Sequence, residues 1–194
     1  GDACVDALVA GPPIDVLIHN AGINAVGRLP LVSLESQLRV VDVNLAAPMM
    51  MTAGLLNARK LQVGGTIVLL SSLSHYVGYP GASVYAATKD GIASYGRSLR
   101  VALRPNQINV VTVFPGPTRT EHARRYSPDN SREGARMDPE VLAGRIFVGM
   151  QRRRRHLIPG VLNNISAFIG RWLPSLAEGL MVRAILNRVS DSAD

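Results

Sequence analysis

Three short apolar runs rich in β-branched residues, at 14–18, 66–70 and 108–114, are separated by two segments of helix length, and this spacing constrains the fold more than any other feature. Continuous apolar runs of that length read as strands covered on both faces. Between the first two, Ser33 opens a helical stretch over residues 34–61, placed to cap its first turn, with Glu35 complementing the helix dipole there. Gly64-Gly65 breaks that pattern. Between the second and third, a Gly-, Pro- and Ser-rich loop over 73–82 leads to a helix over 83–104, which Pro105 stops. Strand, helix, strand, helix, strand at this spacing is the βαβ pattern of a parallel sheet. Ligands of open parallel sheets bind beyond the carboxyl ends of the strands. Those ends carry Asn20-Ala21-Gly22, Ser71-Ser72 and Pro115-Gly116-Pro117.

After Thr120 the pattern weakens. Residues 121–138 are polar and charged, expected to form a mobile loop or short helices. Pro139 opens a helix to about Met150, and the arginines at 152–155 precede a short strand candidate at 156–158. Residues 161–189 read as one or two amphipathic helices interrupted by Pro174. The whole chain of 194 residues reads as one domain, with a core over 14–120 and a substrate loop, last strand and C-terminal helices over 121–194. The one cysteine, Cys4, forms no intrachain disulfide, which fits a reducing, cytoplasmic setting. Net charge is +7 with aromatics at 5%; a solvated basic surface or attraction for an anionic ligand fits this, and nothing matches a nucleic-acid module. No His/Cys/Asp cluster has metal-ligand spacing.

Tyr85 and Lys89, four apart on a helix, share a face. An ammonium beside a phenol favours the phenolate, so the pair predicts a lowered tyrosine pKa and a general acid or base near neutral pH. Alone, such a pair is a common helix surface. Ser72 ends the second strand 13 residues earlier, and the intervening loop can bring its hydroxyl beside the phenol, so that both hold one carbonyl oxygen. Asn44 lies within the first long helix, four residues before Pro48. Proline cannot donate to the carbonyl four residues back, so a kink is expected there, with the Asn44 carbonyl free to hold a water.

The set Asn20-Ala21-Gly22, Asn44, Ser72, Tyr85-Ala86-Ala87-Thr88-Lys89 and Pro115-Gly116 resembles the short-chain dehydrogenase/reductase family, in the same order and at its usual spacing, over residues 14–120. The resemblance implies a Rossmann-type, doubly wound parallel sheet and an NAD(P)-dependent oxidoreductase moving hydride between nicotinamide and a carbonyl or alcohol, using NADP or NAD. It implies that Tyr85 is the proton donor and acceptor, that Lys89 lowers the Tyr85 pKa and holds the nicotinamide ribose, and that Ser72 orients the substrate carbonyl. It implies that Asn44 holds a water linking Lys89 to solvent. Asn20, Ala21 and Gly22 then line the adenosine side of the cofactor, and Pro115, Gly116, Thr118 and Thr120 grip the carboxamide.

The family opens with a β-α-β-α-β segment containing a glycine-rich turn for the pyrophosphate. No such turn precedes Asn20, so this chain is expected to be part of a longer enzyme. If instead it stands alone, a non-catalytic fragment or scaffold of the fold is the alternative, membrane-peripheral through its C-terminal helices. Trp172, Phe168, Leu173, Leu176, Leu180 and Met181 suggest either a packing lid or a surface for a lipid-like substrate or a membrane. No apolar sequence stretch reaches the roughly 18 residues of a span. Small residues Ala86, Ala87, Gly91 and Gly96 suit close helix packing in a homodimer or homotetramer.

Overall fold

The computed structural model describes residues 2–127 and 129–184. Four parallel strands, β1 (Ile14–His19), β2 (Leu61–Leu70), β3 (Asn109–Val113) and β4 (His156–Leu157), pair in the order β1-β2-β3-β4. The helices are α1 (Asp2–Ala10), α2 (Leu34–Val41), α3 (Ala47–Asn57), α4 (Ser83–Ala102), α5 (Glu121–Tyr126), α6 (Pro139–Gln151), α7 (Val161–Trp172) and α8 (Pro174–Ala184). Alternation along each strand sends side chains to opposite faces. On one face Leu17, Ile67, Leu69 and Val110 pack with Leu55 of α3 and Ile92 and Leu99 of α4. On the other, Val68, Leu70, Val111 and Val113 meet Ile146 and Met150 of α6. Helices on both faces of a parallel sheet make this a Rossmann-type α/β fold. β1 lies at the sheet edge, and its Val16 and Ile18 are 42% and 50% exposed.

The first crossover departs from the expected single helix over 34–61. Its 24-residue helical run, Leu34–Asn57, holds a π-helical turn over Asp42–Ala46, where the N–H of Ala47 bonds the carbonyl of Asp42. Pro48 withholds the N–H that the Asn44 carbonyl would receive in an α-helix, and the backbone widens at that point. The run ends at Asn57 rather than Leu61, because Arg59 turns into the left-handed region at φ 53°. β2 therefore starts five residues before the expected strand at 66. By length and a mean hydropathy of 1.2 this run could span a membrane, although no single apolar stretch of sequence suggests it. It is instead the crossover between two paired strands, and Val40, Pro48, Thr52 and Leu55 are buried along it.

Of the four small residues expected to suit close helix packing, Gly91 and Gly96 of α4 point inward, while Ala87 is exposed. A Cβ on Gly91 would lie 2.9 Å from Leu45, and one on Gly96 would meet Thr112 and Leu69 of the sheet. Both glycines permit packing within the chain. The amphipathic C-terminal helices break before Pro174 as expected; their expected end at 189 lies outside the described residues. A Cβ on Gly170 of α7 would overlap the Tyr76 carbonyl oxygen and lie 2.7 Å from its carbonyl carbon. Backbone cannot yield as a flexible side chain does. Gly170→Ala is therefore expected to destabilise by about 1–3 kcal/mol. Gly179→Ala on α8, with nothing within 4 Å of the added methyl, should be stabilising by about 0.5–1 kcal/mol. Thermal unfolding of the two variants checks the contrast.

Candidate active site

The carboxyl ends of β1, β2 and β3 converge. Beyond β2, the N–H of Ser71 bonds the Val113 carbonyl at 2.9 Å and the N–H of Leu73 bonds Pro115 at 2.9 Å, joining the loops after β2 and β3. The buried Ser71 hydroxyl donates to the Lys89 carbonyl at 2.8 Å, which holds α4 against the same loop. Ser72 caps the short 3₁₀ turn Leu73–His75, its Oγ accepting from the N–H of Ser74 at 3.1 Å. The Ser72 side chain lies near enough to the Tyr85 phenol to act on its ionisation, opposing part of the rise that burial causes.

Lys89 is 5% exposed; its Nζ donates to the Leu70 carbonyl at 2.9 Å and lies 5.5 Å from the centre of the Tyr85 ring. Burial holds its pKa down at about 8. The expected lowering of the Tyr85 pKa is not found. Burial pushes the phenol up to about 12, and the Ser72 hydroxyl only partly opposes this. The ammonium sits over the ring face, where it meets the π-system rather than the phenolic oxygen. Desolvation of the phenolate therefore wins.

Asn44 is 2% exposed at the π-helical turn, and its side chain clamps the Ile23 peptide. Its Oδ1 accepts from the Ile23 N–H at 2.8 Å, and its Nδ2 donates to the Ile23 carbonyl at 2.8 Å and to Thr88 at 3.3 Å. This brings Gly22 so close that a Cβ there would lie 3.3 Å from Asn44 Oδ1 and 3.6 Å from Lys89 Nζ. Pro48 points to the Asn44 carbonyl, whereas the side-chain clamp has no signature in the residue spacing. Asn20 and Ala21, at the exposed end of β1, flank the same loop.

On the opposite side lie Pro115 and Gly116, and a Cβ on Gly116 would overlap Asn163 of α7. The Thr118 hydroxyl donates to the Gly116 carbonyl at 3.0 Å, while the Thr120 hydroxyl caps α5 by accepting from Ala123 at 3.1 Å. The stretch expected to be a mobile loop or short helices thus begins with an ordered turn. It carries a residue the sequence reading did not select. The His122 ring lies 6.1 Å from the Tyr85 ring, feels the Lys89 charge and sits near the Gly22 backbone. Burial and the Lys89 ammonium hold its pKa down. The signal available was Thr120-Glu121, a cap followed by an acidic first-turn residue.

The sequence profile of the family described as short chain dehydrogenase matches residues 2–131. The chain belongs to this family. Among curated short-chain dehydrogenase relatives, it is 31% identical over 121 residues to "Dehydrogenase/reductase SDR family member 4" of Pongo abelii, covering 62% of this chain and 44% of that protein. It is 28% identical over 184 residues to "Dehydrogenase/reductase SDR family member 7B" of Bos taurus, covering 90% of this chain and 55% of that protein. The chain thus spans about half the length of the curated relatives it matches. A solved short-chain dehydrogenase from Sphingobium yanoikuyae in complex with NADPH superposes with a TM-score of 0.74 at 26% identity, covering 90% of this chain and 69% of that one. One from Burkholderia cenocepacia in complex with NADP gives a TM-score of 0.79 at 18% identity, covering 93% and 74%, and shares the fold.

The residues present fit a group rich in hydrogen-bond acceptors such as that cofactor. A lysine ammonium has three donors, and buried Lys89 uses one, on Leu70. Its remaining donors lie beside Gly22, where the missing side chain leaves the backbone approachable.

Proposed function

We propose that this chain is the catalytic and nicotinamide-binding part of an NAD(P)-dependent oxidoreductase that interconverts a carbonyl and an alcohol. The observation that carries this reading is the convergence of Ser72, Tyr85 and Lys89 beside Gly22. Lys89 and Tyr85 hold the nicotinamide ribose, Asn20, Ala21 and Gly22 line the adenosine side, and Pro115, Gly116, Thr118 and Thr120 hold the carboxamide. Bound there, NADP or NAD supplies or accepts the hydride. Ser72 Oγ and Tyr85 Oη both hold the substrate oxygen. With its pKa near 12 the phenol carries its proton at neutral pH, which suits donation to a carbonyl being reduced. Alcohol oxidation runs the same transfer backwards, with Tyr85 accepting. The Asn44 carbonyl, left without an α-helical donor by Pro48, takes a water that links Lys89 to solvent. Asn44's side chain meanwhile positions Gly22 against Lys89.

The supporting titration follows nicotinamide fluorescence as the protein carrying this chain meets NADPH and NADH. A saturable change with at least one of them is expected, weaker after Gly22→Val, which fills the space beside Lys89. No saturable change with either cofactor would remove the reading.

A further inference from the structure

A second site, apart from the oxidoreductase reading, lies along α6. Between α6 and the turn at Pro159-Gly160 runs an open groove of about 410 Å³, lined by Arg145, Arg152 and Arg154 together with Val141, Val148 and Leu157. Among the described residues none of these three guanidiniums has an ion pair or a side-chain hydrogen bond, whereas Arg119 and Arg124 pair with carboxylates. The groove ends where α7 begins: Arg145 Nη1 lies 3.6 Å from where a Cβ on Gly160 would be.

α7 starts at the end of this groove and carries an exposed apolar stripe of its own. Val161, Ile165, Phe168 and Trp172 are 78%, 50%, 63% and 65% exposed. At 100° per residue they fall within an arc of about 60°. The opposite side of the helix is the packed one, with Ala167 buried and Gly170 against the Tyr76 backbone. So the apolar stripe is what the fold leaves outward, and Leu162, at 77% exposed, widens it. The Arg171 guanidinium lies over the Trp172 ring at the stripe's margin. Over residues 139–184 the sequence has seven arginines and two glutamates.

We infer that this face docks on an anionic lipid bilayer, with Arg145, Arg152 and Arg154 on lipid phosphates and the α7 stripe in the interface. An apolar stripe beside cationic heads, with a tryptophan at its end, is the composition of a helix that lies in a membrane surface. Charge decides against the simplest alternative. A second copy offers these arginines little counter-charge, since residues 139–184 carry seven arginines against two glutamates, whereas an anionic lipid surface supplies it throughout.

The test is co-sedimentation of the protein with phosphatidylcholine vesicles with and without phosphatidylserine, together with emission from Trp172, the chain's one tryptophan. Binding to the phosphatidylserine vesicles with a blue shift is expected. Each juxtamembrane arginine strengthens binding to an anionic surface by about fivefold, so the triple variant Arg145→Ser, Arg152→Ser, Arg154→Ser should lose about 100-fold. Phe168→Ser should weaken binding and reduce the blue shift. All four residues are exposed, so these variants keep the fold. Absence of binding to phosphatidylserine vesicles, or binding unchanged in the triple variant, overturns the inference. So does a lipid-independent dimer that Phe168→Ser dissociates, or binding to soluble polyglutamate without binding to vesicles.

Discussion

Under the proposed function, Tyr85→Phe is expected to lower carbonyl-reduction turnover by about 10²–10⁴-fold, the usual contribution of a positioned general acid, while leaving cofactor affinity nearly unchanged. The substitution removes one oxygen and little else. The ring keeps its edge contact with Tyr79 at 6.2 Å between centres and its place 5.5 Å from the Lys89 ammonium. Lys89 still donates to Leu70, and Gly22 remains held by the Asn44 clamp, so the groups proposed to hold the cofactor stay in place. What is lost is the protonated phenol, which burial keeps neutral at physiological pH. Steady-state kinetics with a ketone or aldehyde substrate should show the loss in kcat, with the KM for cofactor little changed. Wild-type turnover in this variant would mean that another group protonates the substrate oxygen.

The parts of the fold that depend on periodicity and on strand-end chemistry were legible from sequence. β1, β3 and α4 fall close to their expected places, because Asn20, Pro105 and Pro115 punctuate them. Pro48 announced a disturbance at Asn44, but whether a helix answers a proline by kinking or by widening depends on what surrounds it. Here the Asn44 side chain has a peptide to clamp, and a π turn presents it. The Tyr85 pKa lies above the expected range for a related reason. A four-residue spacing shows that two side chains are neighbours, and it shows neither how deeply they lie nor which part of one faces the other. α5 is six residues long, too short for any period to register, so His122 stayed hidden in a polar stretch. Gly91 and Gly96 show the same ambiguity: small residues mark a close contact without saying whether the neighbour belongs to the same chain.

Lys89→Met should abolish most activity and yet make the protein more stable at pH 7. The wild-type ammonium is charged in both states there, but folding buries it, and its pKa falls from 10.5 to about 8. That difference corresponds to a folding penalty of about 3 kcal/mol. Methionine keeps most of the aliphatic volume and removes the charge, while leaving the Leu70 carbonyl without its donor, which costs about 1–2 kcal/mol. The net gain is about 1–2 kcal/mol, and for a chain of this size each kcal/mol raises Tm by about 2–4 °C. The sign of the pH dependence follows from the lowered folded pKa. Between about 8 and 10.5 the unfolded chain binds more protons than the folded one, so the penalty is fully present below pH 8 and is relieved as pH rises through that window. Tyr85, whose folded pKa is raised, acts in the opposite sense only above pH 10. Wild-type stability should therefore climb from pH 8 to 10, and the Met variant should be flatter over the same range. Denaturant unfolding across those pH values measures both. A variant less stable than wild type at pH 7 would mean that the hydrogen bond to Leu70 outweighs the desolvation of the ammonium.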